Sequence, residues 1–189
     1  GQDLGSNILF KSRIGFSGTP SDLLPPAMKP CKFEPGSDGK VVHTLTSNKI
    51  VGFELKANWT TESILRDIAT RTRNSCHALV DVGALINGMS NEEVARTLLK
   101  EGLHDFDACV YIDNTDQPMV IVRGNENKPM KLSAVGVPLY RRFTFYDEPH
   151  TTGIDIKQTH AARAIVTVSA KNTLRDISQG AWRMRGLGQ

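Results

Sequence analysis

The sequence predicts an α/β domain with a mostly parallel sheet, helices on both faces and one inserted β-hairpin. Three observations carry that prediction. HALVDVGALI (77–86), FTFY (143–146) and AIVTVS (164–169) are short apolar runs without polar alternation, as strands covered on both faces require. Between them lie stretches whose apolar residues recur at helical spacing. DACVYID (107–113) and PMVIV (118–122) are joined by the short turn NTDQ, which reads as a hairpin. Helices alternating with buried strands imply βαβ units, hence parallel pairing with helices on either side.

The elements follow in chain order. SRIGFSG (12–18) reads as a short buried strand stopped at Thr19-Pro20, because proline cannot extend a ladder. Residues 21–40 carry Pro25, Pro26, Pro30, Pro35, Gly36 and Gly39, a density that predicts a linker or extended loop. KIVGFELK (49–56) alternates weakly as a strand. Thr60 is placed to cap a helix over 61–72 whose buried face holds Ile64, Leu65 and Ile68. SNEEVARTLLKEG is the clearest helix start: Ser90 and Glu93 make a capping box, Val94, Ala95, Leu98 and Leu99 repeat at helical spacing, and Gly102 ends the run. In NTLRDISQGAWRMRG, Asn172 is the expected N-cap, Leu174, Ile177, Ala181 and Met184 form the apolar stripe, and Gly186 is the expected terminator.

Composition narrows the function classes. The chain has 189 residues, 39% hydrophobic and 23% charged, with net charge +3 and a pI near 8.8, values that permit a nucleic-acid or nucleotide partner without requiring one. Cys31, Cys76 and Cys109 are odd in number and show no zinc spacing, so neither a disulfide framework nor a metal site is expected. Reduced thiols point to the cytoplasm or nucleus. No apolar run approaches the roughly 20 residues that cross a bilayer, and GQDLGSNILF has no signal-peptide organisation, so no membrane association is expected.

In parallel sheets ligands gather at the carboxyl ends of the strands, which directs attention to three segments. GFSGTP (15–20) brings small hydroxyl residues to the end of a strand. HTTGIDIKQ (150–158) follows FTFY: Gly153 allows a tight turn, Thr151 and Thr152 offer hydroxyls to a phosphate or nucleic-acid backbone, and Asp155 can orient a water or an arginine. Taken alone, this segment reads equally well as a βα turn in which a threonine caps a helical turn. QGAWRMRGLGQ (179–189) places Gln179 and Arg183 on one stripe of a continuous helix, with Arg175 one turn before them, a charged face suited to phosphate oxygens or simply to solvent.

Together, in this order, GFSGTP, TTGID and QGAWRMRGLGQ resemble the motifs of superfamily-two helicases and translocases. The resemblance implies a division of the chain into residues 1–20, the end of a first RecA-like lobe; 21–40, a linker; and 41–189, a RecA-like second lobe. It implies that Ser17, Gly18 and Thr19 couple nucleotide state to nucleic-acid binding, that Thr151, Thr152, Gly153 and Asp155 contact phosphate and backbone, and that Gln179, Arg183 and Arg185 supply the arginine-finger function. In the remodeller-type pattern Gln-Ala-x-x-Arg-x-x-Arg-x-Gly-Gln, Gln179, Arg183, Gly188 and Gln189 fall in register. The second arginine of that pattern would fall on Gly186, and Arg185 stands one residue earlier. On a continuous helix Arg183 and Arg185 point roughly 200° apart.

A complete motor also needs a Gly-x-x-x-x-Gly-Lys-Ser/Thr loop and an acidic magnesium motif, and neither occurs in these 189 residues. The expectation is therefore a fragment that is catalytically incomplete by itself. ATP and Mg²⁺ would bind only together with an upstream lobe, and RNA or DNA is the implied partner.

A narrower resemblance covers most of the chain. GFSGTPSDLLP, HALVDVGALINGMSNEEVA, FYDEPHTTGIDIKQ and RDISQGAWRMRGLG are similar to segments of very large eukaryotic proteins that carry a domain of unknown function and are sometimes labelled ubiquitinyl hydrolases. That label implies a catalytic cysteine and ubiquitin as partner, with Cys76 and His150 as the alternative thiol site. Cys76 and His77 are strand neighbours that point to opposite faces, so they make no dyad by themselves; Asp147 or Glu148 beside His150 could orient a base. A non-catalytic binding module on the same fold is the third reading.

Overall fold

The computed structural model describes residues 36–71, 76–125 and 128–187. The chain divides into two units, one of residues 1–54 with the last three residues, the other Leu55–Gly186. In the first, α1 (Ser37–Thr46) follows Gly36, whose φ of 87° is the left-handed conformation that glycine tolerates. The end of the expected linker is thus helical from Ser37. The strand expected at 12–18, the remainder of the linker and the GFSGTP segment lie outside the described residues.

The second unit is the expected α/β fold. Helices α2 (Thr61–Thr70) and α3 (Asn91–Glu101) and strands β1 (Ala78–Val80), β2 (Ala108–Ile112), β3 (Pro118–Val122), β4 (Met130–Lys131), β5 (Arg142–Tyr146) and β6 (Ala164–Val166) are followed by α4 (Leu174–Ala181). The strands form one sheet in the order β4-β3-β2-β5-β1-β6. β1 runs parallel to β5 and β6, and β2 parallel to β5; β3 and β4 are antiparallel additions, β3 being the hairpin partner of β2.

Alternation along the strands sorts the two faces. Leu79, Cys109, Tyr111, Ile121, Phe143 and Phe145 pack with Ile64, Leu65, Ile68, Val94, Leu98 and Leu99 of α2 and α3. The intervening Ala78, Val80, Val110, Thr144 and Tyr146 are also buried, on the opposite face. There α4 approaches the sheet at Gly180, where a Cβ would come within 3.0 Å of the Val82 side chain.

Two of the three predicted helix starts are built as expected: Thr60 accepts from the Ser63 amide, and Ser90 and Glu93 exchange hydrogen bonds. The ends of α2 and α3 are tied to each other. Leu103 N–H donates to the Ala69 carbonyl at 2.8 Å, and Gly102 lies so close to that carbonyl that a Cβ would stand inside 3.0 Å of it. Gly102 has φ 172°, extended backbone, so it is required here for closeness, not for a left-handed turn. Arg123, after β3, closes the end of α3 by donating to the carbonyls of Leu99, Gly102, Leu103 and Phe106.

Several boundaries differ from expectation. KIVGFELK is not a strand: residues 49–56 join no ladder of the sheet, and Phe53 and Leu55 are 90% and 83% exposed. HALVDVGALI is a strand only over Ala78–Val80, because Asp81 then turns the chain, and AIVTVS only over Ala164–Val166. The last helix is capped by Thr173, not Asn172, and stops at Ala181 instead of reaching Gly186.

Gly102→Ala is expected to lower unfolding stability by about 1–3 kcal/mol, measured by urea denaturation, because neither the Ala69 carbonyl nor the α3 terminus has room to shift.

Candidate functional site at the carboxyl edge

The four mutually parallel strands end at one edge, and there the connections diverge: β1 leads away to β2 on one side, while β5 leads to β6 on the other. Between the ends of β1 and β5 the strand order therefore reverses, the geometry that opens a ligand crevice in α/β sheets. The loop after β1, the turn after β5 and the chain beyond α4 all assemble at this edge.

The β1 loop is organised by Asp81, which is 1% exposed. Its carboxylate accepts from the Leu85 and Ile86 amides at 3.0 and 2.9 Å and from the Thr167 hydroxyl at 2.5 Å. Asn172, the expected cap, instead bridges two loops: its amide donates to the Val82 carbonyl, while its oxygen accepts from Ser169 N–H. A buried carboxylate with three donors fixes the loop while leaving none of its acceptor atoms orphaned.

The turn after β5 carries the HTTGID segment. Glu148–Thr151 make a short 3-10 turn, Thr151 is buried and donates its hydroxyl to the Glu148 carbonyl, and Gly153 takes φ 84°, the left-handed value expected of it. Thr152, Gly153 and Asp155 are exposed.

What orients this turn is Arg183. The residue is 8% exposed, and its Nε donates to the Thr151 carbonyl at 2.6 Å while Nη1 donates to the Ile154 carbonyl. The guanidinium lies over the Tyr146 ring, 5.8 Å from its centre, and the Tyr146 hydroxyl donates to the Ile156 carbonyl. Burial presses the Arg183 pKa below its ordinary value, against the opposing influence of Tyr146 and Asp155.

Two glycines bring Arg183 there. Gly180 lets α4 close on β1, and Gly186 passes so near the His160 carbonyl that a Cβ would not fit. Between them the helix has ended, and Arg183 and Met184 amides donate back to Gly180 and Ala181 in tight turns. The stripe expected for Arg175, Gln179 and Arg183 is thus not continued: Gln179 is half-buried within α4, and Arg183 lies beyond it. Arg185, for which a continuous helix predicted the opposite direction, reaches the same turn as Arg183 and pairs with Asp155 at 2.9 Å, both side chains being more than half exposed.

The structure therefore joins Thr151, Thr152, Gly153, Asp155, Arg183 and Arg185 in one place. It separates the two members of the alternative thiol site. Cys76 stands two residues before β1, at the amino-terminal edge, and His150 stands after β5, at the carboxyl edge of a strand parallel to β1, so the two do not form a dyad. Burial pushes the Cys76 thiol above its ordinary value, with Arg163 and Arg71 acting against that, and burial raises Cys109 as well. Cys76 lines a pocket of about 140 Å³ with Arg71, His104 and Phe106, away from the carboxyl edge. Ser17, Gly18, Thr19 and Cys31 lie outside the described residues. Among the described residues no His, Cys, Asp and Glu group is arranged to hold a metal, and no helix is long and apolar enough to cross a membrane.

Asp81 and Thr167 were not singled out by sequence reasoning, and Asn172 was read only as a helix cap. The available signal was the lone carboxylate inside an apolar run, LVDVG, which marks a strand end more readily than a strand centre. No family model, curated protein or solved structure matches the chain.

The two arginines should separate in a stability measurement. Arg183→Gln leaves two carbonyls without their donors and is expected to cost about 2–4 kcal/mol, whereas Arg185→Ala, removing an exposed pair, should stay within about 0.5 kcal/mol of the parent in the same urea titration.

Proposed function

We propose that Leu55–Gly186 is a helicase-like second lobe of a nucleotide-dependent protein, acting on phosphate through the turn after β5 and the chain beyond α4. The observation that carries this reading is the bond between Arg183 and the Thr151 and Ile154 carbonyls: it unites, at the reversal of strand order, the two segments that the motif resemblance pairs. Within that union the roles divide. Arg183 is a positioning residue, since its guanidinium is buried and engaged with the turn. Arg185 is an exposed cation paired with Asp155, and a phosphate can compete with that carboxylate for the forked donors. Thr152 and the backbone around Gly153 lie exposed on the same turn, where a phosphate or nucleic-acid backbone can approach closely. ATP and Mg²⁺ would be held mainly by a phosphate-binding loop on a preceding lobe, with Gln179 and Arg185 completing the site.

One observation favours a second reading, a non-catalytic interaction module on the same fold: the arginine in register with the finger motif, Arg183, is 8% exposed and committed to the protein's own backbone. A cysteine-type deubiquitinase draws no support from Cys76 and His150 at opposite edges of the sheet.

ATP turnover by the natural full-length protein, with and without single-stranded and duplex RNA and DNA, separates these readings. A motor lobe predicts nucleic-acid-stimulated turnover that falls by about 10³-fold in Arg185→Ala with the fold intact. Turnover indifferent to Arg185, or absent under every condition, would overturn the motor reading, and absence would favour the interaction module.

A further inference from the structure

His150 is held between two carboxylates that come from different parts of the sheet. Its Nδ1 faces Asp147 Oδ1 at 2.5 Å, and Asp147 directly follows β5, three residues earlier; its Nε2 faces Asp116 Oδ1 at 2.9 Å, and Asp116 belongs to the β2–β3 turn. The imidazole is 15% exposed and Asp147 19%, whereas Asp116 is 79% exposed. No role proposed above uses this cluster.

Both ring nitrogens can donate only when the imidazole is protonated, because a neutral ring carries one N–H and one lone pair. A neutral His150 therefore presents a lone pair to one of its two carboxylates, and one contact must open. The contact to Asp147 is local and sheltered; the contact to Asp116 is long-range and wet, so Asp116 is the one released. The rest of the β2–β3 turn is secured without the histidine: Asp113 accepts from the Thr115 amide and hydroxyl and from the Gln117 amide. In the turn after β5, His150 N–H donates to the Asp147 carbonyl, and His150 immediately precedes Thr151, whose carbonyl Arg183 holds.

We propose that His150 is a proton-gated latch: its imidazolium ties the β2–β3 turn to the turn after β5, and loss of the proton frees Asp116 and loosens the 148–155 segment. The charged groups acting on the ring are Asp147 from the end of β5 and Asp116 from the hairpin, both carboxylates; Arg183, from the chain after α4, directs its guanidinium to the Thr151 and Ile154 carbonyls. Burial by itself would lower the His150 pKa, but the hydrogen bonds to Asp116 and Asp147 outweigh it and hold the group above its ordinary value. The sign follows from linkage. A histidine whose folded pKa lies above that of the unfolded chain contributes its stabilisation fully below about pH 6.5, and the contribution is lost as pH rises through the folded value. The latch is closed in mild acid and opens on the alkaline side of that value. This inference stands on the three side chains and holds whether or not the unit serves a motor.

The test is an NMR titration of the His150 ring in the parent chain, Asp116→Asn and His150→Gln, with amide hydrogen-exchange protection followed over 148–154 and corrected for intrinsic exchange at each pH. Asp116 has φ 59°, a conformation asparagine accepts, so Asp116→Asn keeps the turn. The expected result is a parent midpoint above about 6.5 that drops in Asp116→Asn, with protection in the parent falling about tenfold for each pH unit by which the midpoint exceeds the unfolded value. His150→Gln should show low protection that no longer depends on pH through this range. A midpoint unmoved by Asp116→Asn, or protection that stays constant in the parent across the midpoint, overturns the latch.

Discussion

Strands β1 and β5 are closed to water on both faces, and that constraint decides where every polar function of the unit can stand. Leu79, Phe143 and Phe145 are covered by α2 and α3, while Val80 and Tyr146 are buried on the opposite face, which α4 meets at Gly180 and Val82. A carboxylate or guanidinium placed within such strands would need a full set of partners in a dry interior, a costly arrangement. Polar groups are accordingly found where the strands end: Asp81 one residue past β1, Asp147 one residue past β5, Thr167 one residue past β6. The carboxyl edge is polar because the sheet is not.

At that edge buried ionisable groups act as fasteners. Asp81 organises the β1 loop through two amides and the Thr167 hydroxyl, and Arg183 organises the turn after β5 through two carbonyls. Arg123, itself an exposed residue, does the same for the end of α3 at the other edge, through four carbonyls. Each supplies charge-assisted hydrogen bonds to backbone groups that no helix or strand can satisfy. Exposed ion pairs differ in kind: Arg185 with Asp155 and Arg66 with Glu101 lie in water, where attraction is weak and partners exchange readily. An exposed cation beside a turn held by a buried arginine is a combination that can receive an anion without rebuilding the site, which is the physical basis of the proposed division between Arg185 and Arg183.

Much of the architecture was legible because it follows from local rules. The cap at Thr60 and the capping box at Ser90, the apolar faces of α2 and α3, the hairpin at NTDQ and the strands β2 and β5 each have a short-range cause, and each appeared where expected. The left-handed turn at Gly153 belongs with them. Misreadings arose where a distant group intervened. HALVDVGALI continues as an apolar pattern past Val80, but Asp81 bonds to its own loop and to Thr167, 86 residues later, and the strand stops. The apolar stripe of the last helix continues to Met184, but the chain turns after Ala181 so that Arg183 can reach the HTTGID turn. KIVGFELK has an alternating pattern with no strand beside it among the described residues, and a ladder cannot form on one side alone.

The sequence by itself determined the fold class, most element positions and the motif segments worth inspecting, since periodicity, caps and turn residues act over a few positions and are written in consecutive letters. Tertiary structure alone decided where the motif residues stand. That Arg183 is buried and Arg185 exposed, that both meet one turn, that Cys76 and His150 sit at opposite edges and that Asp116 reaches His150 from a hairpin all depend on strand order and on close approach at Gly180 and Gly186. Strand order is set by the sum of many long-range burials, and no single stretch of sequence carries that sum.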